Sequence, residues 1–356
     1  MATATMATVS QRVGIQKGDI LAHVVPDEIL ARDGRNVKMQ RNMGQTYIAR
    51  RFLNYGGTAT NSTTSNRYFQ NGTGDRSAAI IQAHQTQEGV TPTADSLAPI
   101  DYPVIMKQYT CLYSYTDVTA LLHEDDLPSE MKKQNGERVA FVNEQIIYGG
   151  LRACTNVYFG GLGTTIATVN GKITTALLDK ISVNLVGNHA KPINKMLAST
   201  SSYGTEGVFM SFNVYANFSA EPDIRRLDGF VPVEKYGQQS KAMPNEIGKA
   251  GRFRFMIHAD LPELQDAGAA IAANGLKSTS GVNNDVFPII ICAQDAWSQI
   301  AVRGTASLDV KHVPVGTSSG ADVFGQRGFV GCIWWKAVMI ENPGWMAVAN
   351  VGVTSL

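Results

Sequence analysis

The spacing of apolar positions changes several times along the chain, and each change marks a candidate element. Residues 1–45 carry few periodic apolar positions and are broken by Gly14, Gly18, Pro26, Gly34 and Gly44, which predicts an extended arm rather than core. A strand follows over residues 46–53. Residues 56–87 are then crowded with Gly, Thr, Ser and Asn, and a loop of about thirty residues in a compact domain tends to be functional. Alternation returns over residues 108–116, with Tyr109, Cys111, Tyr113 and Tyr115 on one face and Gln108, Thr110, Ser114 and Thr116 on the other. That is the pattern of a half-buried strand. Paired with residues 46–53, it predicts a long two-stranded excursion closed by the Gly/Thr-rich loop, which would need another surface to lie upon.

Helical periods come next. Asp125 and Asp126 ahead of Pro128 form a helix start. Val139, Val142, Ile146, Ala153 and Val157 recur at spacings of three, four or seven, predicting a helix of roughly 25 residues, about 38 Å long. Gly149-Gly150 interrupts it, as a helix end, a close backbone crossing or a bend, of which the bend is favoured. A second amphipathic helix is predicted over residues 173–186, burying Leu177, Leu178, Ile181 and Leu185, with Gly187 and Pro192 as stop signals. Residues 208–212 and 286–292 predict short buried strands, and the Ala-rich residues 267–273 a short helix. Two closing strands, residues 329–340 and 345–353, flank the turn sequence Glu341-Asn-Pro-Gly, in which Pro fixes φ and Gly permits positive φ.

Composition narrows the function classes. The 356 residues suit one large domain or two to three interleaved ones. Charged residues make up 17% of the chain, against about 25% in ordinary globular domains. Neutral polar surface costs less to desolvate than charge, as suits a chain that hides surface against copies of itself. The net charge is +1 and the longest run of like charge is Glu124-Asp125-Asp126, so no basic footprint for gripping nucleic acid exists and any DNA contact should be weak. No stretch approaches the ~20 apolar residues of a membrane helix, and no secretory signal opens the chain. Cys111, Cys154, Cys292 and Cys332 are widely separated, which predicts buried free thiols rather than a metal site or disulfide framework.

Candidate chemistry is sparse. Gly316-Thr-Ser-Ser-Gly320 matches the nucleophile-elbow pattern around Ser318, but residues 321–328 make a poor helix start and the last His, His312, precedes the Ser. His123-Glu-Asp-Asp126 could attract a divalent cation, yet the helix start already accounts for its acids. Gly160-Gly-Leu-Gly163 lacks dinucleotide-binding spacing. No catalytic, cofactor or metal residue is assigned, and the chain is expected not to be an enzyme.

Beyond these patterns, Glu88-Gly-Val-Thr-Pro-Thr-Ala-Asp-Ser-Leu97 resembles the major capsid proteins of podoviruses related to coliphage N-four, where a Glu-Gly-x-x-Pro segment opens the returning strand of an extended loop. The resemblance continues in order. It takes in Tyr113 to Asp117, then Glu144 to Tyr148 with Thr155-Asn-Val-Tyr158, then Ile173-Thr-Thr-Ala-Leu-Leu-Asp-Lys180 with Asn188-His-Ala-Lys-Pro192. Asn245-Glu-Ile-Gly-Lys-Ala-Gly-Arg-Phe-Arg254 and Gly325-Gln-Arg-Gly328 before Trp335-Lys336 complete it. Together these motifs loosely cover residues 46–348.

The resemblance implies an α+β, Hong-Kong-97-type phage coat fold. Its parts would be an N-terminal arm (1–45), an extended β-hairpin loop (46–108), a peripheral domain with a long spine helix (109–195), an axial domain (196–305) and peripheral return strands (306–356). The implied function is a major capsid protein that self-assembles into an icosahedral head shell around double-stranded DNA, in the virion after assembly in the host cytoplasm. Implied partners are other copies in hexameric and pentameric capsomers, a separate scaffolding protein, a portal protein and, at the long loop, a decoration protein, with packaged DNA touched weakly and no membrane or cofactor. Arg50, Arg51 and Glu88 are the candidate inter-subunit contacts. An encapsulin-like compartment and a Ser hydrolase using Ser318 are the alternatives. Three departures stand out: the 56–87 loop exceeds the family's usual length, Asp322-Val323 replaces Asp-Pro, and no Lys lies between Lys38 and Lys107 to serve a covalent Lys-Asn cross-link.

Overall fold

One strand organises the molecule. The computed structural model describes residues 28–356 apart from 41, 43, 55–75, 87, 92–96, 124, 195–208, 237–242, 272–274, 303–307 and 319–321. Within it a five-stranded sheet comprises β1 (Arg35–Met39), β4 (Lys107–Thr116), β11 (Trp297–Val302), β12 (Asp309–Val313) and the 14-residue β13 (Arg327–Ile340). The first part of β13 pairs with β4 and β12, and its last part pairs with β11, which in turn holds β1 in parallel.

Alternation along β13 assigns its two faces. Val330, Cys332 and Trp334 point to one side, against the helix α3 (Leu127–Arg152). Ala337 and Met339 point to the other, where the two-stranded ribbon β2 (Thr46–Phe52) and β3 (Pro99–Ile105) lies on them. The helix α3 is the predicted spine. Asp126 caps it by accepting from the Ser129 N–H, Pro128 sits in its first turn, and Met131, Val139, Ile147 and Leu151 form its buried stripe. Its Asn135 donates to the Val330 carbonyl and its Asn143 accepts from the Trp334 indole N–H, so polar groups index the helix against β13.

A seven-stranded sheet forms the second layer: β5 (Val157–Phe159), β6 (Phe212–Asn217), β7 (Phe230–Pro232), β8 (Glu246–Ala250), β9 (Phe253–His258), β10 (Phe287–Cys292) and β14 (Met346–Val351), in the order β5-β14-β10-β6-β9-β8-β7. On one face α4 (Thr175–Gly187) and α5 (Glu221–Arg225) bury Leu178, Ile181, Leu185 and Ile224 against Phe255, Ile289, Ile291 and Val351. The last turns of α3 cover the other face, where Ile290, Cys292 and Val348 meet Ile147 and Leu151. Covered on both sides, β10 is a continuous apolar run rather than an alternating one. Each fully buried Ile on it contributes about 1.5–3 kcal/mol. Two short helices remain, α1 (Arg76–His84) and α2 (Asp117–Leu122).

Several expectations are corrected. Residues 28–39, assigned to the arm, join the fold: Ile29 and Leu30 are buried in the core and β1 adds a largely exposed edge strand to a sheet. Their apolar residues enter different clusters, so no period connects them. Residues 1–27 lie outside the described residues. The partner of β2 is β3, not residues 108–116, which pair with β13 instead. Pro99 and Pro103 disguised β3 as loop, although a two-stranded ribbon tolerates Pro that a sheet interior would not. Part of the expected 56–87 loop is helical, as α1.

The spine helix stops at Arg152, and Val157 opens β5 instead of extending its stripe. The helix also runs through Gly149-Gly150 without a break; a Cβ on Gly150 would lie 2.8 Å from the Val338 side chain, so this glycine serves a close crossing. Residues 267–271 are bends and a bridge, not a helix, because Gly268 packs on the Asn284 and Val169 carbonyls. The strand expected over 208–212 begins at Phe212 and continues to Asn217. The elements β5 and α4, placed with the spine helix, belong to the seven-stranded layer, and so does β14, which pairs with β10 after a 3-10 turn at Pro343–Trp345.

Candidate interaction surfaces

The β2–β3 ribbon has two unlike faces. Tyr47, Ala49, Tyr102 and Val104 point inward and pack on Met39, Met106, Ile300, Ala337 and Met339. Ile48, Arg50, Phe52, Pro99, Asp101, Pro103 and Ile105 point outward. Ile48, Phe52 and Ile105 are each more than half exposed, at 60%, 55% and 59%. A strand ribbon with an apolar outer face is a surface that natural proteins cover or use.

The register places Arg50 opposite Asp101 in the middle of that face. Its guanidinium grips the carboxylate bidentately, Nε to Oδ1 at 2.7 Å and Nη2 to Oδ2 at 2.9 Å. That hydrogen bonding holds Asp101 below the usual carboxylate range and raises Arg50. On the inner face Arg51 donates to the Tyr102 hydroxyl at 2.9 Å, with its guanidinium 5.6 Å from the ring centroid. Glu88 is exposed in a turn with Gly89, whose φ is +76°. Of the three candidate contacts, both arginines thus have partners within the chain. Nothing in the sequence singled out Asp101, because β3 itself was hidden.

A second open surface lies beside the ribbon. The face of β4, β12 and β13 turned away from α3 carries Leu112 (42% exposed) and Val313, with half-buried Phe329 and Ile333 between them. Among the described residues, the chain's own ribbon packs on the β1–β11 side of this face.

Buried carboxylates clamp the incoming segment between the layers. Glu144, on α3 and 1% exposed, accepts from the Ile29 and Leu30 N–H groups at 3.2 and 2.9 Å, at the start of a 3-10 turn. Asp33, just after that turn, accepts from Asn213 on β6 at 2.9 and 2.8 Å. Burial pushes both carboxyls above their ordinary values. Asn213 and Asn217, which interrupt the apolar pattern of β6, are hydrogen-bonded within the chain, and Asn217 donates to the Leu261 carbonyl.

The catalytic candidates are not assembled. Ser318 is exposed after β12, and the described residues pass from there through a turn at Asp322 into β13 without a helix. His312 Nε2 lies 3.1 Å from the Tyr115 hydroxyl. In the acidic motif, Asp126 is occupied as the α3 cap, His123 Nδ1 accepts from the Asp125 N–H, and Glu124 lies outside the described residues. Among the described residues no three His, Cys, Asp or Glu side chains converge as a metal site, and no helix is long and apolar enough to cross a membrane.

No known protein-family model matches the chain. The major capsid protein of Pseudomonas phage KPP21 is 23% identical over 208 residues, which is 54% of this chain and 52% of that protein, so the chain matches about half the length of this relative. The solved capsid of Ralstonia phage GP4 superimposes with a TM-score of 0.64 at 11% identity, covering 99% of both chains. The capsid subunit of cyanophage Pam1 does so at 0.57 and 13% identity, covering all of both. Both superpositions span nearly the whole chain, which has the mixed α+β fold of phage capsid proteins.

Proposed function

We propose that this chain is the major capsid protein of a tailed bacteriophage, related to the podovirus group of coliphage N-four, and that its Hong-Kong-97-type subunits build an icosahedral shell around double-stranded DNA. The observation that carries this is the apolar outer face of the β2–β3 ribbon, projecting from a capsid-type fold. In an isolated chain that face wets Ile48, Phe52 and Ile105. Covered by a neighbouring subunit, it becomes a binding surface.

Neighbouring copies pack side by side in hexameric and pentameric capsomers. The ribbon of one reaches the open β4–β12–β13 face of the next, where Leu112, Val313, Phe329 and Ile333 offer matching apolar surface. Each contact is modest, and closure of a shell multiplies it. Arg50, presented as one unit with Asp101, acts within that contact, and Arg51 and Glu88 act at its margin. A separate scaffolding protein guides curvature, a portal protein occupies one vertex, and a decoration protein contacts the long loop. With a net charge of +1, the shell holds its DNA weakly. The role is structural, with no catalytic residue.

Co-expression with the neighbouring phage genes, followed by sedimentation and negative-stain microscopy, tests this. Closed shells are expected, and Ile48→Asp with Phe52→Asp should abolish them while leaving a folded subunit. A monomer that never assembles with any partner gene would overturn the reading, and shells filled with enzyme rather than DNA would replace it with a cargo compartment.

A further inference from the structure

Cys111 on β4 and Cys332 on β13 stand directly opposite each other in the antiparallel register. Both thiols are free and buried on the α3 side of the sheet, among Val139, Trp334 and Tyr109. Opposed residues of such a pair have Cα atoms about 4.5–5.5 Å apart, inside the span a disulfide bridges. We propose that Cys111 and Cys332 are a latent cross-strand disulfide site, closed by a two-electron oxidant into an intrachain staple that locks β4 to β13.

The position gives such a bond leverage. The same stretch of β13 also carries β12, while α3 rests on Trp334 and the ribbon on Ala337 and Met339. The two residues are more than two hundred positions apart in the chain, so the bond would close a long loop and restrict the unfolded chain strongly. Chemically, each thiol gives up one proton and one electron, the sulfurs join, and an acceptor such as dioxygen or the N=N bond of diamide takes up both protons and both electrons. The thiols are close enough to hydrogen-bond each other, and burial pushes both upward, which keeps them protonated and slow to react. A cleft of about 570 Å³ is lined by Val139, Leu308 and Trp334, so only these side chains, which pack around the thiols, separate a small oxidant in the cleft from the sulfurs. Reducing conditions keep the staple open, and oxidising ones close it.

The test uses the full chain purified under reductant and exposed to diamide, both folded and during refolding from urea. It is then alkylated in non-reducing denaturant and mapped by peptide mass. The expected product is a linked Cys111–Cys332 peptide pair, about 2 mass units lighter than its two reduced halves, with Cys154 and Cys292 alkylated. The linked protein should melt at least about 5 °C higher, and reductant or Cys332→Ser should remove that gain. Alkylation of Cys111 and Cys332 in both regimes, bonds to Cys154 or Cys292 instead, or a linked protein that melts no higher than the reduced one would overturn the proposal.

Discussion

Two Arg–carboxylate pairs sit in different sheets of this molecule. At the far side of the seven-stranded layer, Arg254 on β9 meets Glu246 on β8 at 2.9 Å with both side chains almost fully buried, at 3% and 0% exposure. The Tyr236 hydroxyl and the Met243 N–H donate to the same carboxylate, and the guanidinium lies over the Tyr236 ring. On the ribbon, Arg50 meets Asp101 at 2.7 Å, but in water. The distances are nearly equal and the consequences are not. A buried pair cannot lose one member without stranding the other in low dielectric, whereas solvent and salt screen the exposed pair and readily replace either partner. The buried pair therefore specifies its layer, and the exposed one is available to a neighbour.

The strongest way to break this comparison is Glu246→Ala. It leaves Arg254 buried without its carboxylate and should cost about 3–5 kcal/mol in urea unfolding; a loss below 1 kcal/mol would mean that the buried site relaxes like a surface. Next is Gly34→Ala, between the clamp and β1. The added methyl would run into the fully buried Trp297 ring, and overpacking of this kind costs about 1–3 kcal/mol.

Smaller, and sharper in mechanism, is Glu144→Gln. The folded value of Glu144 is raised by burial, so its contribution is present in full below the ordinary carboxylate range and is lost as pH rises through the raised value. The amide keeps an oxygen for the Ile29 and Leu30 N–H groups but cannot titrate. The pH dependence of unfolding across the weakly acidic range should therefore flatten, and a variant as pH-sensitive as the parent would count against this assignment. Least of all is Arg50→Ala, expected to leave the unfolding midpoint unchanged at physiological salt. Because Asp101 is depressed, any stability from the pair is present above the ordinary carboxylate range and lost as pH falls through the depressed value. Shell yield is the measurement that should respond.

Parts of the fold with one regular period were legible. Asp126 with Pro128 marked the start of α3, Tyr109, Cys111, Tyr113 and Tyr115 marked the buried face of β4, and the Ile289–Ile290–Ile291 run marked β10. Elements that break their own pattern were missed. Pro99 and Pro103 concealed β3, Asn213 and Asn217 concealed the length of β6, and Ile29 and Leu30 looked like arm because no period links them to Met39, the next buried apolar residue of the segment. The interaction surface was legible in half: Arg50 and Arg51 stood out as a pair of cations, but their partners Asp101 and Tyr102 needed the β2–β3 register.

Local sequence alone determined which segments are helix or strand wherever hydrophobic period, caps and turn residues agree, because those signals act within one or two turns of chain. Only the tertiary structure decided that β14 leaves β13 for the other sheet, that Cys111 faces Cys332, and that Glu246 and Arg254 are buried together. Those outcomes depend on which strand lies alongside which, a choice set by the shared burial of segments far apart in the chain and carried by no single segment.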